Sequence, residues 1–278
     1  MFNILLLDDI IKRALTEDIG TGDITTLSTI PEAKKIKGRF IAKENGILCG
    51  IDVSKRVFEI VDSTIIINIL LKDGASFKKG DIIAEVSGNA QSILSGERTA
   101  LNFLQRLSGI ATRTNQTVAI IKGTKTAIAD TRKTTPGLRV LEKYAVKIGG
   151  GTNHRYNLSD GILIKDNHIT AAGGITAAVE AARKNAPHTL KIEVEVENFE
   201  MIKEALACKA DIIMLDNMSI EDMTKAVELI NGAAMVEASG NMGDRDLLAV
   251  AKTGVNIISI GALTHSVKAS DISLKFNY

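Results

Sequence analysis

Residues 191–217, KIEVEVENFEMIKEALACKADIIMLDN, carry the clearest evidence for the architecture of this protein. The segment begins with a short apolar strand pattern, Ile192–Val196, continues with a helical pattern, FEMIKEALACK, and ends with a second strand pattern, Ile212–Leu215. Strands that alternate with helices are typical of parallel sheets, because a helix carries the chain back to the start of the next strand. The segment therefore predicts an α/β fold.

The same alternation recurs along the second part of the chain, with a period of about 20–25 residues. It predicts either a parallel α/β barrel or a doubly wound sheet. The predicted strands are Ala127–Asp130, Ile162–Lys165, Ile192–Val196, Ile212–Leu215, Met235–Ala238 and Ile257–Ile260.

The first third of the chain has a different pattern. Short β-like runs, GRFIAKE, GILCGI, TIIINIL and DIIAEVSG, predict an antiparallel sheet with one or two helices. A long amphipathic stretch from Thr99 to about Ile121 predicts a helix, and Arg98 is expected just before it. The last segment, Asp271–Phe276, alternates apolar and polar residues, so we expect it to return as a strand to this sheet.

Composition excludes several classes of protein. The formal net charge of the 278 residues is only +1, so we expect no general binding of nucleic acid. The N-terminal apolar run, Ile4–Leu7, is too short for a signal peptide or a membrane span. Cys49 and Cys208 form no disulfide or zinc pattern, and we expect both to be buried thiols. These features indicate a cytoplasmic protein that does not bind membranes.

Three glutamates recur at every second position of one predicted strand. Glu193, Glu195 and Glu197 therefore share one face of the sheet. Carboxylates inside a barrel are unfavourable unless a cation or a metal compensates their charge. We therefore expect at least one of the three to have a functional role.

The carboxyl ends of the other predicted strands are also polar or rich in glycine. In parallel α/β barrels the reacting groups collect at these ends, and the loops after the last two strands commonly bind phosphate. A glycine-rich segment, Gly149–Gly151, also precedes two potential donors. The candidate residues at these places are Arg132, Lys133, His154, Arg155, Lys165, Asp216, Ser239, Gly240 and Gly261.

Residues 130–169, DTRKTTPGLRVLEKYAVKIGGGTNHRYNLSDGILIKDNHI, resemble the signature of the quinolinate phosphoribosyltransferases, also called carboxylating nicotinate-nucleotide pyrophosphorylases. Further motifs of that family occur in order: ALTEDIGTGDITT, SGERTALNFLQRLSGIAT, IEVEVEN, IIMLDN, VEASGN and ISIGALTHSVKASDISLKF. The resemblance implies an N-terminal α/β sandwich domain over residues 1–105, joined by the C-terminal strand 268–278. It also implies an incomplete, open α/β barrel of TIM-like type over residues 106–267.

The resemblance also implies an activity. Members of the family convert quinolinate and 5-phosphoribosyl 1-pyrophosphate (PRPP) to nicotinate mononucleotide, pyrophosphate and carbon dioxide in the de novo synthesis of NAD. They use Mg²⁺ together with PRPP, and they form homodimers with shared active sites or higher oligomers. The same partners and cofactor are expected here.

Residue roles follow from the same resemblance. It places Arg98 in the active site of the partner subunit, and Arg132, Lys133, His154, Arg155 and Lys165 at the substrate carboxylates and phosphates. It places Glu195 and Asp216 at the ribose and its magnesium, directly or through water or substrate. It places Ser239, Gly240 and Gly261 at the 5′-phosphate. Within this set it implies catalytic roles for Lys133, Lys165, Glu195 and Asp216.

Three alternatives remain open. A slip of two residues in IEVEVEN would exchange Glu195 for Glu193 or Glu197. A homologous enzyme of the molybdate-transport-associated type would act on another heterocycle, although the complete basic set favours a dicarboxylate. Residues 73–81 resemble the hairpin of biotinyl and lipoyl carrier domains, but they lack the lysine turn that those domains modify.

Overall fold

The computed structural model describes residues 3–276. The chain forms two compact units. The first, here called the sheet unit, comprises Met1–Asn115, Thr135–Gly149 and Val267–Tyr278, and the second, the barrel unit, comprises Gln116–Thr134 and Gly150–Ser266. The boundary between residues 105 and 106 that the resemblance implies stays a prediction.

As predicted, short antiparallel strands in the first third of the chain are followed by alternating helices and parallel strands. The helices are α1 (Ile4–Ile19), α2 (Ile24–Thr29), α3 (Ile51–Val61), α4 (Ala90–Ile120), α5 (Arg139–Ile148), α6 (Asp166–Ala172), α7 (Ile175–Asn185), α8 (Phe199–Ala207), α9 (Ile220–Ile230), α10 (Leu247–Lys252) and α11 (Ala262–His265). The strands are β1 (Lys35–Ala42), β2 (Gly46–Ile47), β3 (Ile66–Ile69), β4 (Ser76–Phe77), β5 (Ile82–Asn89), β6 (Ala127–Ala129), β7 (Ile162–Ile164), β8 (Ile192–Val196), β9 (Ile212–Asp216), β10 (Met235–Ser239), β11 (Ile257–Ser259) and β12 (Ile272–Phe276).

The sheet unit contains a four-stranded antiparallel sheet in the order β12-β1-β5-β3. The C-terminal strand β12 pairs with β1, with Phe40 opposite Leu274, which confirms the predicted return of this segment. Alternate residues of β1 are buried, and Phe40 meets Phe58 of α3 edge to face with ring centroids 6.2 Å apart. The two rings join the helix to the sheet by burying apolar surface between them.

Helix α4 begins at Ala90 and not near Thr99 as expected. The Asn89 side chain accepts a hydrogen bond from the Ser92 backbone N–H at 3.1 Å, which satisfies one of the free donors of the first turn. Gly96 lies inside the helix and faces Phe58 and Val61 of α3. The expected position of Arg98 before the helix is therefore wrong, because Arg98 lies within α4.

The segment that resembles a carrier hairpin has a structural role in the sheet unit. The Asp73 carboxylate accepts hydrogen bonds from the backbone N–H groups of Gly50 and Ile51 at 2.9 and 3.0 Å. It also accepts one from the Tyr144 hydroxyl at 2.9 Å. Asp73 thus satisfies backbone donors at the start of α3, as an N-terminal capping group does.

The barrel unit contains a six-stranded parallel sheet in the order β6-β11-β10-β9-β8-β7. Strands β7 to β11 are neighbours in chain order, with helices between them, so the strand order does not reverse as it does in a doubly wound sheet. Among residues 3–276 no pairing joins β6 to β7 and closes the barrel. This arrangement confirms the open α/β barrel.

Two further findings concern the expectations from composition. In the part of the chain that the structure describes, no helix is both long and apolar enough to cross a membrane. Cys49 is a buried free thiol, as expected, but Cys208 is partly exposed at the end of α8, so the expectation of burial was wrong there.

Candidate active site

The register of the parallel sheet places acidic residues of three strands on one face. Glu195 of β8 and Glu237 of β10 are both paired with Met214 of β9, so the three side chains point to the same side. Two residues further along, Asp216 is paired with Ser239. The carboxyl ends of these strands therefore present carboxylates and a hydroxyl next to one another, as expected for a barrel enzyme.

Lys165 and Glu195 form an ion pair between the ends of β7 and β8. The Lys165 side chain is 44% exposed and the Glu195 side chain 15%, so the pair lies at the rim and faces the open end. Glu193 is buried deeper in the same strand, and Glu197 lies beyond its end and is exposed. Of the three glutamates, the structure thus brings Glu195 to the predicted lysine.

The loops after β9 and β10 interlock around Asn217. Its backbone N–H donates to the carbonyl oxygen of Ser239 at 3.1 Å, and its amide nitrogen donates to Asp216 Oδ2 at 2.7 Å. Gly240 has φ +89°, and a Cβ atom there would stand 2.3 Å from Asn217 Oδ1. Only glycine fits such a close approach, so this contact holds Asp216, Ser239 and Gly240 together.

Lys133 and Gly261 meet where the loops after β6 and β11 run side by side. The Thr264 hydroxyl donates to the carbonyl oxygen of Lys133 at 2.8 Å. A Cβ atom on Gly261 would stand 3.0 Å from Lys133 Cδ and 3.1 Å from the His265 ring. Gly261 therefore gives the lysine side chain room to cross the predicted phosphate loop.

Arg132 and Arg155 lie close enough for their positive charges to repel. Burial and the charge of Arg132 lower the pKa of the Arg155 guanidinium, whereas Glu193 and Asp160 oppose this effect. One arm of Arg155 is fixed, because Nη1 donates to the carbonyl oxygen of Gly161 at 2.8 Å. Two neighbouring guanidinium groups form a region that favours an anion, because an anion relieves their repulsion.

Asp130 organises the segment that carries His154, and the sequence did not single it out. Its fully buried carboxylate accepts from the Asn153 amide at 2.6 Å and from the backbone N–H of His154 at 2.9 Å. The isolated bridge between Ala129 and Thr152 aligns the two segments. Asp130 thus fixes the chain on which His154 and Arg155 lie.

Glu237 is a second residue that sequence reasoning missed. His154 Nε2 lies 3.1 Å from Glu193 Oε2 and 3.7 Å from Glu237 Oε1, and both glutamates are almost completely buried. Burial and the charge of Glu193 raise the pKa of Glu237 from 4.5 to about 7, and His154 opposes this effect. The signal was present, because Glu237 precedes Ser239 by two residues and so shares its face.

Arg98 belongs to the sheet unit, whereas the residues described above belong to the barrel unit. It is exposed on α4 of the sheet unit, and its charge opposes the burial that raises the pKa of neighbouring Glu97. The barrel unit brings together the other predicted residues in the pairs described above. They are Arg132 with Arg155, Lys133 with Gly261, Lys165 with Glu195, and Asp216 with Ser239 and Gly240, while His154 meets two glutamates outside that set.

Basic groups, carboxylates and glycine loops at the carboxyl ends of an open α/β barrel are typical of enzymes that act on anionic substrates. Comparison with known proteins identifies the class further. The chain belongs to the quinolinate phosphoribosyl transferase family: residues 23–108 match its N-terminal domain and residues 110–275 its C-terminal domain.

Individual relatives agree with this family. The chain is 47% identical over 272 residues to a protein of Bacillus subtilis named a probable carboxylating nicotinate-nucleotide pyrophosphorylase, covering 98% of this chain and 94% of that protein. It is 45% identical over 287 residues to the chloroplastic carboxylating nicotinate-nucleotide pyrophosphorylase of Arabidopsis thaliana, covering 96% and 82%. The solved structure of the nicotinate-nucleotide pyrophosphorylase from Francisella tularensis superposes with a TM-score of 0.95 at 44% identity, covering 100% and 98%.

Proposed function

We propose that this protein is a carboxylating nicotinate-nucleotide pyrophosphorylase, which makes nicotinate mononucleotide, pyrophosphate and carbon dioxide from quinolinate and PRPP in NAD synthesis. The observation that carries the proposal is the 47% identity to a relative of that name over 98% of the chain. The names of the relatives favour this activity over the molybdate-transport-associated alternative. The contacts within the barrel unit support the residue roles that follow.

Arg132 and Arg155 suit the two carboxylates of quinolinate. A guanidinium binds a carboxylate through two parallel hydrogen bonds, and a planar dianion needs more than one such partner. Because the two arginines repel each other, binding a dianion between them relieves an unfavourable interaction. In this proposal His154 belongs to the same substrate region. It directly precedes Arg155, and its Nδ1 atom accepts a hydrogen bond from the Arg155 backbone N–H.

The ion pair of Lys165 and Glu195 suits the reacting end of PRPP. Cleavage of the bond between C1 and pyrophosphate builds positive charge on the ribose ring and negative charge on the leaving group. Glu195 and Asp216 stabilise the first charge, and Lys165 and Lys133 stabilise the second. The interlocked glycine loops, with Ser239, Gly240 and Gly261, hold the 5′-phosphate by backbone N–H groups and a hydroxyl.

The carboxylates fit a magnesium ion that accompanies PRPP. Glu195 and Asp216 lie on neighbouring paired strands and offer the oxygen ligands that Mg²⁺ prefers. One oxygen of each is already engaged, by Lys165 and by the Asn217 amide, which favours contact through water or ribose hydroxyls. When bound, the ion supplies positive charge that stabilises the leaving pyrophosphate.

No side chain acts as a nucleophile in this proposal, because the pyridine nitrogen of quinolinate attacks C1 of the ribose. The residues of the barrel unit bind the two substrates in line and compensate the charges that develop, so positioning and electrostatics supply the catalysis. The bond between the ring and its carboxylate next to the nitrogen then breaks and releases carbon dioxide. The positive pyridinium nitrogen stabilises the electron pair that stays on this ring carbon, and a proton from water completes the new C–H bond.

We further propose a cytoplasmic homodimer, or a higher oligomer built from it, in which Arg98 completes the site of the partner subunit. An exposed arginine within α4 of the sheet unit is available for such a contact. Two plant relatives carry chloroplastic or mitochondrial names, so the compartment differs within the family. The two free thiols of this chain suit a reducing compartment.

The test is an assay of the purified protein with PRPP, Mg²⁺ and quinolinate labelled in the 2-carboxyl group. We expect nicotinate mononucleotide, pyrophosphate and labelled carbon dioxide in equal amounts. A Lys133→Ala protein of normal secondary structure serves as the negative control. Release of pyrophosphate without a mononucleotide, or a mononucleotide that keeps the label, would refute the proposed activity.

A further inference from the structure

Both ring nitrogens of His154 face groups of the barrel unit. Nδ1 accepts a hydrogen bond from the backbone N–H of Arg155 at 2.7 Å. Nε2 lies 3.1 Å from Glu193 Oε2 and 3.7 Å from Glu237 Oε1. The imidazole is therefore held on one side by the main chain and on the other by two carboxylates from different strands.

These contacts define the tautomer of the ring. A nitrogen that accepts a hydrogen bond has a free lone pair, so the proton of the neutral imidazole lies on Nε2 and is donated to Glu193. A metal ion at Nε2 would need the lone pair of that nitrogen, so the proton would lie on Nδ1. The Nδ1–H group would then face the backbone N–H of Arg155, and two donors would be in contact. His154, Glu193 and Glu237 each have a ligand atom within 4.8 Å of the others, but the geometry favours a hydrogen-bonded cluster.

Glu237 is a member of this cluster for which no role in binding substrate or metal has been proposed above. It is 2% exposed, and its Oε1 atom has no hydrogen-bond partner among residues 3–276, as is also true of Glu193 Oε1. A buried carboxylate with an oxygen that accepts no hydrogen bond is unfavourable for folding, so its presence calls for a compensating role. The groups that favour its charged form, by lowering its pKa, are His154, whose Nε2 atom lies 3.7 Å from Oε1, then the Ser259 side chain and the charge of Lys165.

We propose that Glu237, together with Glu193, is a positioning residue that holds the His154 ring and, through this ring, Arg155. Glu193 accepts the hydrogen bond of Nε2–H, and Glu237 places a second acceptor oxygen 3.7 Å from the same nitrogen. Nδ1 accepts from the backbone N–H of Arg155, whose guanidinium donates to the Gly161 carbonyl oxygen. Rotation of the ring would break the contact to Arg155. The inference rests on the proposed function in one respect, namely that Arg155 binds a carboxylate of the substrate.

Three variants separate positioning from simple packing. Glu237→Ala removes the carboxylate, Glu237→Gln keeps its size and an acceptor oxygen, and Met214→Ala makes a cavity beside Glu237 without removing a polar group. We expect Glu237→Ala to raise the KM for quinolinate about two- to fivefold, less than the loss of a full hydrogen bond would cause, with an unchanged KM for PRPP. Glu237→Gln should restore most of the affinity, and Met214→Ala should lower only the melting temperature. Equal losses in Glu237→Ala and Met214→Ala would overturn the proposal.

A spectroscopic measurement tests the cluster without any substrate. The chain has four histidines, so ¹⁵N-histidine NMR, with His154→Gln to assign the signal, reports which nitrogen of His154 is protonated. We expect the Nε2–H tautomer in all three proteins, with a sharp His154 signal in the wild type and in Glu237→Gln and a broadened signal in Glu237→Ala, where the ring loses one of its restraints. A protonated Nδ1, or a His154 signal that shifts when Zn²⁺ alone is added, would overturn the proposal. If the wild type fails to use quinolinate, the proposed function fails while this result still decides the positioning of His154.

Discussion

Gly240 packs against Asn217 so closely that a Cβ atom on Gly240 would stand 2.3 Å from the Asn217 Oδ1 atom. The contact joins the loops that follow β9 and β10, and these loops carry Asp216 and Ser239. A small change of the backbone at Gly240 should therefore displace Asp216 and Ser239, which belong to the proposed ribose and phosphate sites.

Gly240→Ala should lower both stability and activity, because the methyl group clashes with Asn217 in addition to the strain of a positive φ. Gly232→Ala is the matched control: Gly232 also has a positive φ, +77°, but no atom lies within 4 Å of its Cβ position. The control should lose about 1–2 kcal/mol of unfolding free energy in urea and keep its KM for PRPP. Gly240→Ala should lose more and raise that KM. Identical behaviour of the two variants would show that the contact with Asn217 has no role.

Glu195→Ala and Asp216→Ala should each lower kcat by about 10²–10³-fold, because each removes charge stabilisation at the proposed ribose. The control is Glu197→Ala, which changes an exposed residue just beyond β8 and should remain active. Circular dichroism and the state of assembly should be unchanged in all three. An inactive Glu197→Ala together with a normal Glu195→Ala would show that the functional glutamate was assigned in the wrong register.

Arg98 should act across a subunit interface. Arg98→Ala and Lys133→Ala subunits are each expected to be inactive alone. If they are mixed in equal amounts and exchanged, half of the dimers are mixed and each has one intact site, so activity should recover to about a quarter of the wild type. If exchange is demonstrated by mass spectrometry and activity does not recover, Arg98 does not act in the partner's site.

The stability of the protein should depend on pH through Glu237. Its pKa is raised from 4.5 to about 7 in the folded protein, so between these values the folded state binds more protons than the unfolded state. Stability contributed by the protonated carboxyl is therefore present below pH 4.5 and is lost as the pH rises to about 7. The advantage of Glu237→Gln over the wild type in unfolding free energy should grow across this window. A constant difference from pH 5 to pH 8 would contradict the raised pKa.

Much of the fold could be predicted from local patterns. The apolar strands of the barrel unit are short and continuous, and amphipathic helices separate them, so periodicity alone located them. The ambiguity between a barrel and a doubly wound sheet could not be settled in this way, because strand order depends on pairing between distant segments. The start of α4 was missed because the apolar helical spacing was recognised only from Thr99 onward, whereas the helix already begins at Ala90.

The part of the candidate site that consists of charged residues at strand ends could be predicted from the sequence. Lys165 and Glu195 come from consecutive strands, and parallel pairing brings them together. Asp130 and Glu237 were missed because their partner, His154, lies on a loop far away in sequence. The spacing of Glu237 from Ser239 indicates its face of the sheet, but the contacts of Asp130 and Glu237 with His154 appear only in the folded structure.

The central claim, that the substrate is a pyridine dicarboxylate, is tested most directly by comparing turnover of quinolinate and nicotinate by the same preparation with PRPP and Mg²⁺. Nicotinate lacks the carboxylate next to the ring nitrogen and would leave a guanidinium of the site without its partner. A hydrogen bond to a charged group contributes roughly 1.5–3 kcal/mol, which corresponds to about a 10- to 100-fold loss for each bond that is removed. We expect kcat/KM for quinolinate to exceed that for nicotinate by at least about 100-fold, and comparable turnover of the two acids would contradict the account.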